Sequence, residues 1–261
     1  MSESLLIERR GAALWLTLNR PEAHNALNRA LTDALVDAMN QGANDDLVRV
    51  IVLTASGEKT FCAGADLKDA GGASAFSTGV SENPLVRVFR AIRACRKPVI
   101  GCITGSALGG GLGLVAACDL AYCADDVRFG TPEVKVGVFP MMISAYLLRQ
   151  LPRRRYWEMA FLGDPLTALE GQQYGLVNRA VPRAELAAQI DVVIDKLLGN
   201  APTALRMGKQ ALEVMQDLSF DETLAYAELM IEKLANTDEA REGRAAFAEK
   251  RKPHWAAEVE Q

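Results

Sequence analysis

KPVIGCITGSALGGGLGLVAACD, residues 97–119, reads as a buried strand over Val99–Thr104, then a glycine-rich turn, then a helix from about Gly110 to Ala117. An apolar strand that feeds a helix through glycines leaves bare backbone N–H groups at a helix N-terminus. Such a place takes an oxyanion or a phosphate. Pro98–Cys118 carries no charge and is long enough to suggest a membrane span. Pro98 and the six glycines 101, 105, 109, 110, 111 and 113 make it a poor continuous helix, and the sequence holds no comparable second span.

Three readings of the turn compete. Gly111-Leu-Gly113-Leu-Val-Ala116 fits a dinucleotide fingerprint, but much chain precedes it. Asp125 and Asp126 come too early for the acidic residue that would hold a ribose, and Glu133 follows Pro132 in a turn. Close packing of a helix on a sheet explains one or two glycines, not three in a row flanked by Gly105 and Gly113. An oxyanion hole needs one N–H near Gly110 and a second donor from elsewhere. The loop Phe61-Cys62-Ala63-Gly64-Ala65-Asp66 is the source, because it also follows a buried strand and leaves backbone uncovered.

Outward from there, Leu5–Arg9 and Ala12–Asn19 read as a hairpin. Asn28 caps a helix with Leu31, Ala34, Leu35, Ala38 and Met39 at helical spacing. Val48–Thr54 is a buried strand, and residues 56–70 form a turn-rich loop. Gly71–Ser81 reads as a mobile segment. Pro84–Cys95 is a helix with Leu85, Val88, Phe89 and Ile92 on one face. Asp119–Ala124 is a further strand, with Asp119 structural. Helices follow at Ile143–Leu151, Arg153–Leu162 and Ala168–Tyr174, then a strand at Leu176–Val181. From Glu185 the chain is helical throughout, with Ser219-Phe-Asp-Glu222 as a capping box and Thr237 capping the last helix. The pattern is an α/β core followed by helices alone.

The chain has 261 residues, 49% hydrophobic and 24% charged, with a net charge of −4. That is a globular composition without the basic excess of a nucleic-acid binder. Its five cysteines contain no CxxC and read as small core side chains in a reducing compartment. With His24 and His254 as the two histidines, no metal site is expected. Leu5-Leu6-Ile7, preceded by Glu3, is too short for a signal sequence, so a cytoplasmic or matrix-type location is expected, with no membrane partner.

Six motifs in order give the sequence a resemblance to the enoyl-CoA hydratase/isomerase (crotonase) superfamily. They are LNRPEAHNAL at 18–27, FCAGADLK at 61–68, KPVIGCITGSALGGGLGL at 97–114, ACDLAYCADDVRFGTPEVKVG at 117–137, EGQQYGLVNRAV at 170–181 and EGRAAFAEKRKP at 242–253. The resemblance implies an α/β fold, a spiral of ββα units over residues 1–190 with a C-terminal helical oligomerisation region over 191–261. It implies a homotrimer or homohexamer, an acyl-CoA thioester as substrate, and no cofactor beyond the coenzyme A that the substrate carries. It implies oxyanion donors at Ala65 and Gly110. Losing one such donor costs roughly 3 kcal/mol of barrier. It extends substrate contacts to Ala23, Ala63, Asp66, Leu67, Lys68, Gly109 and Pro132, and to Phe247 and Lys250 in the C-terminal helices. Glu22 stands where the family commonly has a basic residue.

Two departures set the expected chemistry. Hydratases of the family use two glutamates; the second matches Glu133, and the first position is Gly113. Adding water to a conjugated double bond divides proton work between two carboxylates, whereas one carboxylate suffices to move a proton between two carbons. The expectation is therefore enoyl-CoA double-bond isomerisation by Glu133. Hydration by Glu133 alone and non-catalytic acyl-CoA binding are the alternatives. Met141 stands where hydratases usually carry glycine, so Phe139-Pro140-Met141-Met142 reads as an apolar wall for the acyl chain or as plain core packing.

Overall fold

A computed structural model describes residues 3–68 and 82–257. The segment Gly71–Ser81 lies outside the described residues. Strands β1 (Leu5–Arg10) and β2 (Ala13–Leu18) form the antiparallel hairpin, and α1 (Arg29–Asn44) crosses to β3 (Val50–Ala55), parallel to β2. Then come β4 (Thr60–Cys62), α2 (Pro84–Ala94), β5 (Val99–Ile103), β6 (Ser106–Leu108), α3 (Gly110–Ala117), β7 (Leu120–Ala124) and β8 (Arg128–Gly130). Two sheets result. The larger has the order β1-β2-β3-β5-β7-β10, with β10 at Arg179–Val181. The smaller runs β4-β6-β8-β9, with β9 at Leu166–Thr167.

The pairs β3–β4, β5–β6 and β7–β8 each give one strand to each sheet, and each pair steps one place along both sheets. This is the expected spiral. Every residue of β3 and β5 is buried, as parallel strands covered on both faces must be. The four short strands β4, β6, β8 and β9 fall where the sequence suggests turns or loops, because two or three residues show no periodicity.

Local sequence fixes the helices. The Asn28 side chain accepts from the Leu31 N–H at 2.9 Å and opens α1, whose Leu31, Leu35, Ala38 and Met39 face the core. At the other end of α1, the buried Lys97 ammonium donates to the Gly42 carbonyl at 2.8 Å and to that of Asp45. A cation there completes orphan carbonyls and suits the helix dipole. Asp119 is structural: it accepts from the Val99 N–H at 2.7 Å and pairs with Lys209 at 2.6 Å. All eight residues of α3 are buried, so this helix runs through the core rather than over it. The five cysteines are buried and unbridged.

Helices α4 (Ser144–Gln150), α5 (Arg153–Leu162), α6 (Ala168–Gln173) and α7 (Leu186–Leu198) follow, then α8 (Pro202–Met215), α9 (Phe220–Ala235), α10 (Asp238–Ala248) and the short α11 (His254–Ala257). Residue 190 lies inside α7, whose Ile190, Val193, Ile194 and Leu198 belong to the core. Along α8–α10 only Ala211 and Ala246 are buried, while Leu212, Phe220, Leu224, Ile231 and Phe247 are exposed.

Candidate active site

The turn between β6 and α3 is built on Gly109, at φ 52° and ψ −126°, a conformation that L side chains rarely adopt. The Gly109 N–H donates to the Gly130 carbonyl at 2.9 Å, which ties the turn to β8. Beyond Gly130, Thr131 is fully buried and its hydroxyl donates to the Met159 carbonyl at 3.1 Å. Pro132–Val136 then makes a 3-10 turn that lays Glu133 against Gly109. A Cβ on Gly109 would stand 3.0 Å from Glu133 Oε1, so glycine is needed for space as well as for φ.

The loop Ala63–Asp66 meets the same turn from β4. Gly64, at φ 92°, lies so close that a Cβ on it would be 3.0 Å from both Gly110 N and Leu108 O. Three backbone hydrogen bonds hold the loop: Ala63 N–H to His24 O at 3.0 Å, Leu27 N–H to Gly64 O at 2.7 Å, and Asp66 N–H to Leu27 O at 3.1 Å. The C=O and N–H of one trans peptide point in opposite directions. Because Leu27 takes the Gly64 carbonyl, the N–H of Ala65 in that same peptide is turned away from Leu27. Neither the Ala65 N–H nor the Gly110 N–H has an acceptor among the described residues. Gly110 is the first residue of α3, where no intrahelical acceptor exists.

Glu133 is half-buried, and its Oε2 has no hydrogen-bond partner among the described residues. Burial pushes its carboxyl above the ordinary value of 4.5, while its own backbone N–H pulls weakly the other way. A carboxyl with that environment holds a proton more readily than one in water. It suits a group that must take a proton and give it back.

Gly113 lies one turn along α3 from Gly109, and its N–H donates to the Gly109 carbonyl at 3.1 Å. A Cβ at Gly113 would lie 2.5 Å from both Ile143 Cγ2 and Phe89 Cζ. Two apolar side chains fill the space into which a side chain at position 113 would project. Sequence spacing does not show this packing, because Phe89 and Ile143 come from α2 and from the start of α4.

The other expected residues divide. Ala63, Asp66, Gly109 and Pro132 sit in the loops and turn that meet around Gly110 and Glu133, and Ala23 belongs to the turn next to His24, which holds Ala63. Leu67 and Lys68 follow Asp66 on the surface. Met141 is 71% exposed, with Phe139 and Met142 partly buried beside it. Phe247 and Lys250 are exposed at the end of α10, and among the described residues neither is hydrogen-bonded to the loops carrying Ala65 or Glu133. Arg20 and Asn25 lie in the LNRPEAHNAL motif, which suggests a place near coenzyme A and not a fastening role, yet Asn25 is fully buried and staples its loop to the Ser56 and Thr60 carbonyls, at 3.0 Å each. A cavity of about 760 Å³ lies between α2, α4 and α8, with Phe89, Ala116, Met142, Tyr146 and Lys209 in its walls. Ala65, Gly110 and Glu133 are not among its lining residues.

The profile of the family described as enoyl-CoA hydratase/isomerase matches residues 8–258. A 2,3-dehydroadipyl-CoA hydratase of Escherichia coli is 35% identical over 259 residues, 98% of this chain and 99% of that protein. A crystal structure of an enoyl-CoA hydratase from Mycobacterium smegmatis superposes with a TM-score of 0.89 at 33% identity, covering 97% of this chain and 99% of that one. Human enoyl coenzyme A hydratase domain-containing protein 3 gives a TM-score of 0.91 at 28% identity, covering 97% and 100%.

Proposed function

The chain belongs to the enoyl-CoA hydratase/isomerase family, and from that premise we propose that it shifts the double bond of an enoyl-CoA through an enolate, with Glu133 as the sole proton carrier. The thioester oxygen sits between the Ala65 and Gly110 N–H groups. Glu133, as carboxylate, removes a proton from carbon 2 of a 3-enoyl-CoA, and negative charge moves onto the thioester oxygen. The two N–H donors and the positive end of α3 stabilise that charge. Glu133 then returns the proton to carbon 4, which leaves the double bond between carbons 2 and 3. Atoms and charge balance without water, metal or a second carboxylate.

One observation carries the choice of isomerisation over hydration: Phe89 and Ile143 occupy the space beside Gly113 where a water-activating glutamate would stand. The names of the relatives favour a second reading, hydration of a 2-enoyl-CoA, for which this chain would offer Glu133 alone. Supplying the purified protein with 3-hexenoyl-CoA and with crotonyl-CoA separates the two. Isomerisation of the first, lost by about a hundredfold or more in Glu133→Gln, is the expected result. Hydration of crotonyl-CoA at the faster rate would overturn it. Tight binding of both without turnover would instead favour an acyl-CoA carrier.

The apolar surface of α8–α10 supports assembly as a homotrimer or homohexamer, with Phe247 and Lys250 reaching coenzyme A across a subunit boundary. Light scattering should then return a mass three or six times 28.2 kDa.

A further inference from the structure

We propose that Arg20 is the positioning residue that sets the direction of the Ala65 N–H. This rests on the reading of Ala65 as an oxyanion donor. The Arg20 guanidinium donates through one nitrogen to the Ala26 carbonyl at 2.5 Å and to Asp66 Oδ2 at 3.0 Å. Both side chains are largely covered, at 18% and 13% exposed. The second oxygen of Asp66 accepts from the Lys68 N–H at 3.1 Å, and the Arg20 N–H donates to Asn25 Oδ1 at 2.8 Å. Arg20 therefore grips two chain segments at once. One is the peptide before Leu27; the other is the residue after Ala65.

Those are the segments that pair across the Leu27–Ala65 bridge, where Leu27 takes Gly64 O on one side of Ala65 and gives its carbonyl to Asp66 on the other. Ala65 is thus held from both flanks, and the free end of its peptide has one direction left. Leu27 and Gly64 are buried, but two backbone bonds alone leave this crossing able to open locally. A partly covered ion pair across the same two segments resists that opening. Hydrogen bonds to charged groups are stronger than neutral ones. The residues flanking this clasp, His24 and Asn25, adopt left-handed backbone at φ 53° and 52°. That strain must be held by surrounding contacts, and Asn25's bonds to Ser56 and Thr60 supply them.

An oxyanion donor acts on the transition state more than on bound substrate, so misdirecting it lowers kcat and spares KM. Arg20→Met should lower kcat by about ten- to a hundredfold, with KM changed by less than about threefold. Arg20→Lys, which keeps the charge but offers a single point donor, should fall between. A readout free of turnover uses two ligands. Acetoacetyl-CoA, on losing the proton between its two carbonyls, shares enolate charge with its thioester oxygen, and butyryl-CoA forms no such anion under the same conditions. The wild type should bind the first more tightly. Arg20→Met should lose most of that preference while binding butyryl-CoA as before. Asp66→Asn should lose it likewise, and the double variant Arg20→Met/Asp66→Asn should lose no more than either single. Circular dichroism checks that each variant is folded.

Failure of the two readings looks different. A wild type with no preference for acetoacetyl-CoA removes the donor reading, and the role of Arg20 with it. A wild type with the preference and a folded Arg20→Met that keeps it, or that keeps kcat within twofold, removes the Arg20 proposal alone. A loss confined to KM also overturns it, since that is the mark of a lost substrate contact.

Discussion

Restoring the absent glutamate by Gly113→Glu should not create a hydratase, and the distances say why. A Cβ at residue 113 falls 2.5 Å from Ile143 Cγ2 and from Phe89 Cζ, whereas carbon atoms rest about 3.5–4.0 Å apart. Two buried side chains would each have to move by about 1 Å. Overpacking of that kind costs about 1–3 kcal/mol, against about 1 kcal/mol gained by replacing a helical glycine. Gly113→Ala should therefore lose up to about 2 kcal/mol of stability on balance. Gly113→Glu should lose more, because its carboxylate arrives among Phe89 and Ile143 without a partner. In a Phe89→Ala/Ile143→Ala background the clash is gone, and adding Gly113→Ala should stabilise. The coupling in that cycle should be about 1–3 kcal/mol. Urea unfolding of the set measures it, with crotonyl-CoA hydration assayed in parallel. Gly113→Ala more stable than the wild type, or Gly113→Glu alone hydrating crotonyl-CoA, would refute the reasoning.

Glu133 carries a linked pair of predictions. Its carboxyl is held above 4.5 by burial, so it binds its proton more tightly folded than unfolded. Its ionisation therefore costs stability once the pH is above both values, and nothing when the pH is below both. Glu133→Gln should raise the melting temperature at pH 7, with the gain fading as the pH falls toward 4.5, while kcat/KM of the wild type should decline in acid with a midpoint above 4.5. Gly109→Ala should cut kcat by about a hundredfold, since the new methyl stands 3.0 Å from Glu133 Oε1 and the backbone φ of 52° disfavours it; a steady-state assay decides. Lys209→Met should cost about 3 kcal/mol in urea unfolding, because burial already pushes the Asp119 carboxyl up and Lys209 is what offsets it. Adding Asp119→Asn should return part of that loss.

The strands and helices around residues 97–119 are legible because their signals are local. The glycine run, the unbroken apolar strand and the cap at Asn28 each state their structure within a few residues. The two sheets are less so: β4, β6, β8 and β9 are too short for alternation, and they exist because the neighbouring turn of the spiral offers a strand to pair with. The candidate site divides in the same way. Ala65, Gly110 and Glu133 sit in motifs that the family shares, and the fold brings their three loops together through Gly64 and Gly109. What surrounds them depends on distant chain. Arg20 reaches Asp66 across 46 positions, and Asn25 reaches Thr60 across 35. The most consequential case is Gly113. In the sequence it is an absence, compatible with an empty pocket that water could enter. In the fold Phe89 and Ile143 stand there, so any side chain at position 113 meets packed apolar groups, and under the proposed isomerisation the proton transfer falls to Glu133, whose Oε2 has no hydrogen-bond partner among the described residues.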